Sequence, residues 1–524
     1  MAEFRLFNTM ARQVEPFAPA DGRTVRFYTC GPTVYNPAHL GNFRTFLFED
    51  LLRRTLRAAG WEVEQVMNIT DVDDKIIRRA DERGVTIGEI TEPMVEVFEQ
   101  DRRWLRIEDA EHYPKATEYV PQMIALVQRL LDAGVAYRAE DGSVYFAIDR
   151  FPGYGRLSQL DTREIRKGAR VAQDDYTKEN AQDFALWKAA KPEDERTGAA
   201  WDAPFGRGRP GWHLECSAMA MELLGDTLDL HCGGVDLVFP HHEDEIAQSE
   251  AATGKEFSRH WCHGEFLLID GAKMAKRVGN VRNVADLREH GITPAAIRHA
   301  LFSTHYRQQL NLSGEQLEAS AQSTRRIAEF MGRLALASGG SAELAAAADR
   351  LEEEAFAALF DDLNAPRALA ALFDFIRAAN AALDRGGDDV AALERARAAL
   401  QAVNSVLDVG PRPAAEGIGA GAGGGVAGSG VHMIGAEVIM AGDAPATTVG
   451  SGVYALTGEQ VPAEVVRWAE GRVAARQEAR AGRDFKAADA IRDELLAMGI
   501  EVRDTSDGPT LAFARVPEPG PWSR

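Results

Sequence analysis

Residues 25–74 read VRFYTCGPTVYNPAHLGNFRTFLFEDLLRRTLRAAGWEVEQVMNITDVDD, and they carry the clearest signal of the fold. The apolar run VRFYTC at 25–30 predicts a buried strand, and GPTVYNP after it predicts a turn. A helix is expected from about Gly41 through LFEDLLRRTLRAAG, followed by a short strand within WEVEQVMNI. Strand, helix and strand in this order form a βαβ unit, so the sequence predicts a parallel sheet.

Length, composition and charge limit the kinds of protein that this chain can be. A chain of 524 residues suggests three or four domains. It lacks an apolar run of about 18 residues, and its N-terminal stretch lacks the apolar segment of a signal peptide, so we expect no membrane span and a cytoplasmic protein. Four cysteines do not make a disulfide framework. The net charge of −21 argues against a nucleic-acid binder, although a local basic patch can bind regardless of the average.

The short motif HLGN (residues 39–42) follows the first predicted strand and begins the predicted helix. Backbone N–H groups at a helix N-terminus attract phosphate, and Gly41 allows a phosphate to approach closely. His39 and Asn42 add side-chain donors. By itself the motif is weak, because a lone histidine in a turn is more often structural than catalytic.

A second motif, KMAKR at 273–277, lies on a predicted loop. Lys273 and Lys276 form either an ordinary solvated basic loop or a cationic clamp on a triphosphate.

A third group has the chemistry of a metal site. His241 and Glu245 are four residues apart and share one face of a predicted helix. With Cys30 and Cys216 they offer two thiolates, an imidazole and a carboxylate, which suit zinc. Free cysteines are often simply buried, however, and His242 and Glu243, expected to point elsewhere, compete as ligands.

These motifs, together with NITDVDDKII, DFALWK, GRPGWHLECSAM, HYRQQLNLS and RDFKAADAIRDEL, resemble the blocks of cysteinyl-tRNA synthetases, in family order. The resemblance implies an α/β class I catalytic domain with a Rossmann-like parallel sheet and an insertion, then an α-helical bundle and a small α+β anticodon-binding domain. The implied boundaries are 1–110 and 206–258 for the catalytic halves, 111–205 for the insertion, 259–312 for the signature-loop region, 313–408 for the bundle, 409–460 for a glycine-rich linker and 461–524 for the anticodon-binding domain.

The resemblance also implies the roles of individual residues. HLGN and KMAKR correspond to the two class I signatures, so His39, Asn42, Lys273 and Lys276 are expected to be catalytic. ATP is expected to bind His39, Gly41, Asn42, Asp236 and Lys276. The expected zinc ligands are Cys30, Cys216, His241 and Glu245, and the expected cysteine pocket is lined by Thr33, Thr70, Trp212 and His231.

The implied reaction joins L-cysteine to tRNA(Cys) through a cysteinyl adenylate. The implied cofactors are zinc, which selects the cysteine thiolate, and magnesium, which accompanies ATP; a monomer is expected. Arg472, Arg476, Arg480 and Arg483 recur at helical spacing. They form either a solvated face paired with Glu470 and Glu478 or a face that contacts tRNA phosphates; the resemblance favours phosphate contacts.

The sequence departs from the family pattern at several positions. Asn42 replaces the second histidine of the first signature, and Ala275 and Arg277 replace two serines of the second. Cys232 replaces a glycine beside the expected zinc site and could compete as a ligand, whereas Cys262 is expected to be a buried thiol.

Two rival functions remain. One is a ligase that joins cysteine to a glucosaminyl-inositol in mycothiol synthesis, and the other is an inactive relative that binds zinc or tRNA. The segment 461–524 disfavours the first, because that ligase lacks an anticodon-binding domain, and intact signature lysines disfavour the second.

Overall fold

The structure is a computed structural model that describes residues 3–159, 183–269, 272–273 and 283–412, together with parts of 453–513. The chain divides into two compact units, Met1–Pro411 and Arg412–Arg524. None of the helices in the described parts is long and apolar enough to cross a membrane.

Strands and helices alternate through the first half of the first unit, and helices dominate its second half. Its strands are β1 (Arg5–Asn8), β2 (Gln13–Pro16), β3 (Thr24–Thr29), β4 (Glu62–Met67), β5 (Ala136–Arg138), β6 (Val144–Phe146), β7 (Phe184–Ala189), β8 (Gly208–Pro210), β9 (Leu230–Gly234), β10 (Trp261–Gly264), β11 (Leu267–Ile269), β12 (Ala272–Lys273) and β13 (Leu310–Leu312). Its helices are α1 (Leu40–Ala58), α2 (Asp74–Arg83), α3 (Ile87–Trp104), α4 (Val120–Asp132), α5 (Pro192–Thr197), α6 (Trp212–Leu224), α7 (Glu243–Thr253), α8 (Val284–Glu289), α9 (Pro294–Phe302), α10 (Gly314–Leu336), α11 (Ala342–Phe360), α12 (Ala365–Arg385) and α13 (Val390–Leu407).

A four-stranded parallel sheet with the order β10-β9-β3-β4 forms the centre of this unit. The βαβ unit predicted from residues 25–74 is β3–α1–β4, so that prediction is confirmed. Helix α1 buries Leu47, Leu51 and Leu52 in the core. The carboxyl ends of all four strands meet at one edge of the sheet, which is where ligands bind in open sheets of this kind.

A separate antiparallel sheet lies in the chain between β4 and β9. Its strand order is β5-β6-β7-β8, and its core includes Phe146, Phe184 and Trp187. The parallel sheet is therefore interrupted by an inserted substructure, as the resemblance implied.

Helices α10–α13 are joined to the parallel sheet through buried charges. The guanidinium of Arg298 in α9 lies 2.7 Å from the Asp50 carboxylate of α1, and both side chains are fully buried. Arg298 also donates to the backbone carbonyl of Leu407 at the end of α13. A buried charge needs such partners, so this contact holds α1, α9 and α13 in a fixed arrangement.

The second unit is smaller. In its described parts it contains β14 (Val453–Tyr454), β15 (Gln460–Val461), α14 (Phe485–Ala497), β16 (Ile500–Thr505) and β17 (Gly508–Phe513). Strands β16 and β17 form an antiparallel hairpin. With the parallel sheet and the helices of the first unit, this establishes the predicted α/β class.

Candidate metal centre and signature motifs

The first side of the site is built where β3 and β4 end. Cys30 follows the last residue of β3, and the backbones of Thr33 and Thr70 pair in parallel just beyond the two strands. Gly31 allows this close approach, because a Cβ there would lie 1.8 Å from the carbonyl oxygen of Asn68. Thr33 and Thr70, both expected in the cysteine pocket, are thus brought together.

Helices α6 and α7 supply the second side. Trp212 is the first residue of α6, and Cys216 lies one turn further along. His241 and His242 end the kinked segment Val238–His242, in which the backbone of Phe239 is extended, and this segment leads directly into α7. The ring of Trp212 stacks on that of His241 with centroids 4.1 Å apart and remains 37% exposed. Trp212 therefore covers the outer side of His241.

The side chains of Cys30, His241, His242 and Glu245 converge, and their potential ligand atoms all lie within 4.8 Å of one another. His241 Nε2 is 3.0 Å from Glu245 Oε1, and Cys30 Sγ is 3.3 Å from His242 Nε2. Cys216 Sγ lies 4.0 Å from Cys30 Sγ. All five side chains are buried.

Burial and the neighbouring ionisable groups shift the pKa values within this cluster. Burial raises the pKa of Cys30 well above its usual range, whereas the hydrogen bond with Cys30 lowers the pKa of Cys216 to about 6. Burial opposes the charge on Glu245, but His231 and His241 lower the pKa of that carboxyl to about 2. Burial likewise opposes the charge on His241, but Glu245 and Cys216 raise its pKa to about 10. These shifts favour the anionic forms of Cys216 and Glu245, both of which are buried.

These donors fit a zinc ion. Thiolate sulfur, imidazole nitrogen and carboxylate oxygen are the atoms that zinc binds in proteins, and the burial of the whole set excludes competing water. A cluster of buried ionisable groups is costly without a partner of opposite charge, so this group is a candidate metal site.

The position of His242 corrects an expectation. We expected His242 and Glu243 to point away from the metal group, and this is right only for Glu243, whose carboxylate accepts hydrogen bonds from the backbone of Gly155 and Ser158. His242 joins the group because residues three and four positions before Glu245 both face it on a helix. Geometry therefore offers His242 as an alternative to Cys216.

Further histidines surround the cluster. His231 is fully buried on β9, and its Nε2 lies 2.9 Å from Glu245 Oε2. His263 on β10 lies 2.8 Å from His242 Nδ1 and 2.7 Å from the Thr9 hydroxyl. Sequence reasoning missed His263, because no spacing rule relates β10 to α7.

Cys232 and Cys262 lie away from the metal group. They are directly opposite each other on β9 and β10, and both are fully buried in the core near Glu49. Side chains alternate along a strand, so Cys232 faces away from its neighbour His231. The suggestion that Cys232 competes as a ligand is therefore wrong, whereas Cys262 is the buried thiol that was expected.

The first signature forms a reciprocal cap on α1. Asn42 N–H donates to His39 Nδ1 at 3.2 Å, and His39 N–H donates to the Asn42 side-chain oxygen at 3.1 Å. Because Nδ1 accepts, the neutral ring carries its proton on Nε2. The backbone of His39 also pairs with that of Asn283, which caps α8.

The remaining signature residues are only partly described. The backbone of Lys273 ends β12, which pairs with β11, while Lys276, Ala275 and Arg277 lie outside the described residues. Asn283, six positions beyond this motif, lies against His39, so the chain that follows the second signature returns to the first. Asp236 is exposed in a short turn after β9, beside Gly234.

Two residues of the expected arginine face are described. Arg472 forms an ion pair with Glu494 of α14, and Arg476 is only 7% exposed. Arg476 is thus buried within the second unit, whereas the Arg472 side chain is 34% exposed beside its partner. Arg480 and Arg483 lie outside the described residues.

Comparison with solved structures shows which fold this is. Methionyl-tRNA synthetase of Mycobacterium tuberculosis, solved in complex with methionyl-adenylate, is similar over 74% of this chain and 90% of its own, with a TM-score of 0.52 and 17% identity. The fold is that of a class I aminoacyl-tRNA synthetase. The model of the class I (C) tRNA synthetase catalytic domain matches residues 16–322.

Sequence comparison narrows the family. The DALR domain model matches residues 356–409, and that of the cysteinyl-tRNA ligase anticodon binding domain matches 473–509. Cysteine–tRNA ligase of Chlamydia pneumoniae is 43% identical over 96% of this chain and 97% of its own. That of Solibacter usitatus is 44% identical over 96% and 98%. The chain belongs to the cysteine–tRNA ligase family.

Proposed function

We propose that this protein attaches L-cysteine to tRNA(Cys) at the expense of ATP, through a cysteinyl adenylate. Family membership supports the reaction class. The observation that carries the choice of amino acid is the buried group of thiols, imidazoles and a carboxylate at the carboxyl edge of the parallel sheet.

The donor chemistry supports a single zinc ion held by Cys30, Cys216, His241 and Glu245, with His242 as the alternative to Cys216. Bound zinc would take the substrate sulfur as a thiolate and disfavour the hydroxyl of serine. The metal is needed for this choice, because the small steric difference between cysteine and serine would give only about 10–200-fold discrimination. In this proposal Thr33, Thr70, Trp212 and His231 form the cysteine pocket.

Activation requires no nucleophile from the protein. The substrate carboxylate attacks the α-phosphorus of ATP, and pyrophosphate leaves. In this proposal the Nε2–H of His39, the amide of Asn42 and the ammonium groups of Lys273 and Lys276 stabilise the charge on the phosphates. Gly41 gives the nucleotide access to the start of α1, Asp236 contacts the adenosine, and magnesium enters with ATP.

The second unit would direct the activated cysteine to its tRNA. The match of residues 473–509 to the cysteinyl-tRNA ligase anticodon binding domain supports this role and disfavours the glucosaminyl-inositol ligase. Arg476 adds no support, because it is buried within the unit, whereas the partly exposed Arg472 stays a candidate phosphate contact. We propose that the protein acts in the cytoplasm, where proteins are synthesised, and that it is a monomer.

The test is cysteine-dependent exchange between ATP and labelled pyrophosphate, followed by charging of tRNA(Cys). We expect rapid exchange with cysteine and at least 100-fold slower exchange with serine. Absence of exchange would favour the inactive relative, and exchange without tRNA charging would favour the inositol ligase. Equal exchange with serine would overturn the role given to the metal.

A further inference from the structure

A line of polar contacts runs outward from His241. Its Nδ1 lies 2.8 Å from His213 Nδ1, and His213 Nε2 lies 3.3 Å from one oxygen of Asp244. The other oxygen of Asp244 accepts the hydroxyl proton of Tyr154 at 2.5 Å. Asp244 is 1% exposed, so these contacts are screened from water.

The end of this line that meets the metal group sets which nitrogen of His241 carries the ring proton. His241 Nε2 faces Glu245 Oε1, so Nε2 is the nitrogen available to a metal, and Nδ1 then carries the ring proton. His213 Nδ1 accepts the hydrogen bond from His241 Nδ1–H, and His213 Nε2 is the nitrogen that faces Asp244. Asp244 contacts His213 with one carboxylate oxygen and accepts the hydrogen bond of Tyr154 with the other. A continuous line of contacts therefore links four side chains.

The outer end of this line belongs to the inserted substructure. Tyr154 lies in the turn at residues 152–158, and the same turn donates two backbone hydrogen bonds, from Gly155 and Ser158, to the Glu243 carboxylate at 2.8 Å each. Adjacent acidic residues at the start of α7 thus hold the insertion, while the next residue, Glu245, faces the metal group.

We propose that Asp244 is a positioning residue, which acts through His213 to fix the tautomer and ring orientation of His241 as a metal ligand. Tyr154 holds Asp244 and thereby makes the metal geometry depend on the insertion. This inference rests on the proposed zinc site. When the groups that orient a metal-ligating histidine are lost, the affinity of the protein for the metal typically falls by about 10–100-fold.

The test uses the full-length protein and the variants Asp244→Asn and Tyr154→Phe. Zinc affinity is measured by competition with a chromophoric chelator, and the visible spectrum of the cobalt-substituted protein reports ligand geometry. We expect Asp244→Asn to weaken zinc binding by about 10–100-fold and to shift the cobalt bands. Tyr154→Phe removes one hydroxyl and should cause a smaller change in the same direction.

The matched control is Lys255→Ala, two residues beyond the end of the same helix, which breaks an exposed pair with Asp226 and touches neither the line of contacts nor the turn at residues 152–158. It should bind zinc like the unmodified protein. In pyrophosphate exchange with zinc in excess, Asp244→Asn should raise the KM for cysteine more than it lowers kcat.

Different results would refute the positioning role of Asp244 and the proposed ligase function. Unchanged zinc affinity and cobalt spectra in both Asp244→Asn and Tyr154→Phe would overturn the positioning role, even if exchange with cysteine is rapid. Tight zinc binding that Asp244→Asn weakens, in a protein that activates no cysteine, would support the positioning role and refute the proposed function. If Asp244→Asn does not fold, Tyr154→Phe decides the question.

Discussion

His39 and Asn42 cap helix α1 reciprocally, each accepting a backbone hydrogen bond from the other. In this chain asparagine stands where the related signature has a second histidine. The cap explains why this replacement is tolerated: an asparagine side chain offers an oxygen to the His39 backbone and still keeps an amide donor. The motif thus stabilises α1, and in the proposed function it also binds phosphate.

Asn42→Ala separates these two functions. It should lower the free energy of unfolding by about 1 kcal/mol, as expected for loss of a helix cap. It should also lower the rate of cysteine-dependent pyrophosphate exchange roughly 100-fold, because a donor to the phosphates is lost. Thermal unfolding and exchange kinetics measure the two effects. Thr86→Ala, which breaks the capping box of α3, is the control: it should lower stability similarly without the loss of rate.

Lys276→Ala tests the second signature. Because its ammonium is expected to act on the departing pyrophosphate, the exchange rate should fall by about 100-fold or more while cysteine affinity stays nearly constant. Titration calorimetry with cysteine and exchange kinetics measure the two quantities. Lys255→Ala, which removes an exposed lysine paired with Asp226, should change neither. An equal loss of rate and affinity in Lys276→Ala would contradict the assignment.

The sequence predicted the fold where the signals are local. β3, α1 and β4 were found because their apolar patterns differ in period and follow one another within 50 residues. His241 and Glu245 were paired because four residues make about one helical turn. The family itself was identified from the order of short motifs, and the comparisons confirm it.

What the sequence did not predict depends on contacts between distant segments. Tyr154 meets Asp244 across 90 positions, and no periodic pattern relates the two. The burial of Arg476 follows from packing inside the second unit, while helical spacing says only that the arginines share a face. His242 was misplaced because only the four-residue spacing was considered, although three-residue neighbours also meet on a helix.

The ligand set itself is open to a direct test. If Cys216 is a ligand, Cys216→Ser should weaken zinc binding at least 100-fold, and His242→Ala should have a smaller effect. Metal analysis after dialysis against a chelator measures both. Cys262→Ser is the control, since this thiol lies in the core and should leave zinc bound. Loss of zinc from His242→Ala with retention in Cys216→Ser would show that the ligands are the four residues grouped by geometry.

The ion pairs of Asp74 predict a dependence of stability on pH. Burial opposes the charge on Asp74, but Arg209 and Lys188, which both contact the carboxylate, lower its pKa from 3.8 to about 2. The folded protein therefore binds this proton less readily than the unfolded chain, so the stabilisation is complete above about pH 4 and is lost as the pH falls through about 2. The Asp74 side chain is 58% exposed, so solvent screening should limit the effect to about 1 kcal/mol.

Asp74→Asn should accordingly lower the free energy of unfolding at pH 7, and its difference from the unmodified protein should shrink between pH 4 and pH 2.5 in chemical unfolding experiments. Asp81→Asn, which removes a surface pair with Arg196, should cost less at pH 7. A difference for Asp74→Asn that grows as the pH falls would contradict the depressed pKa.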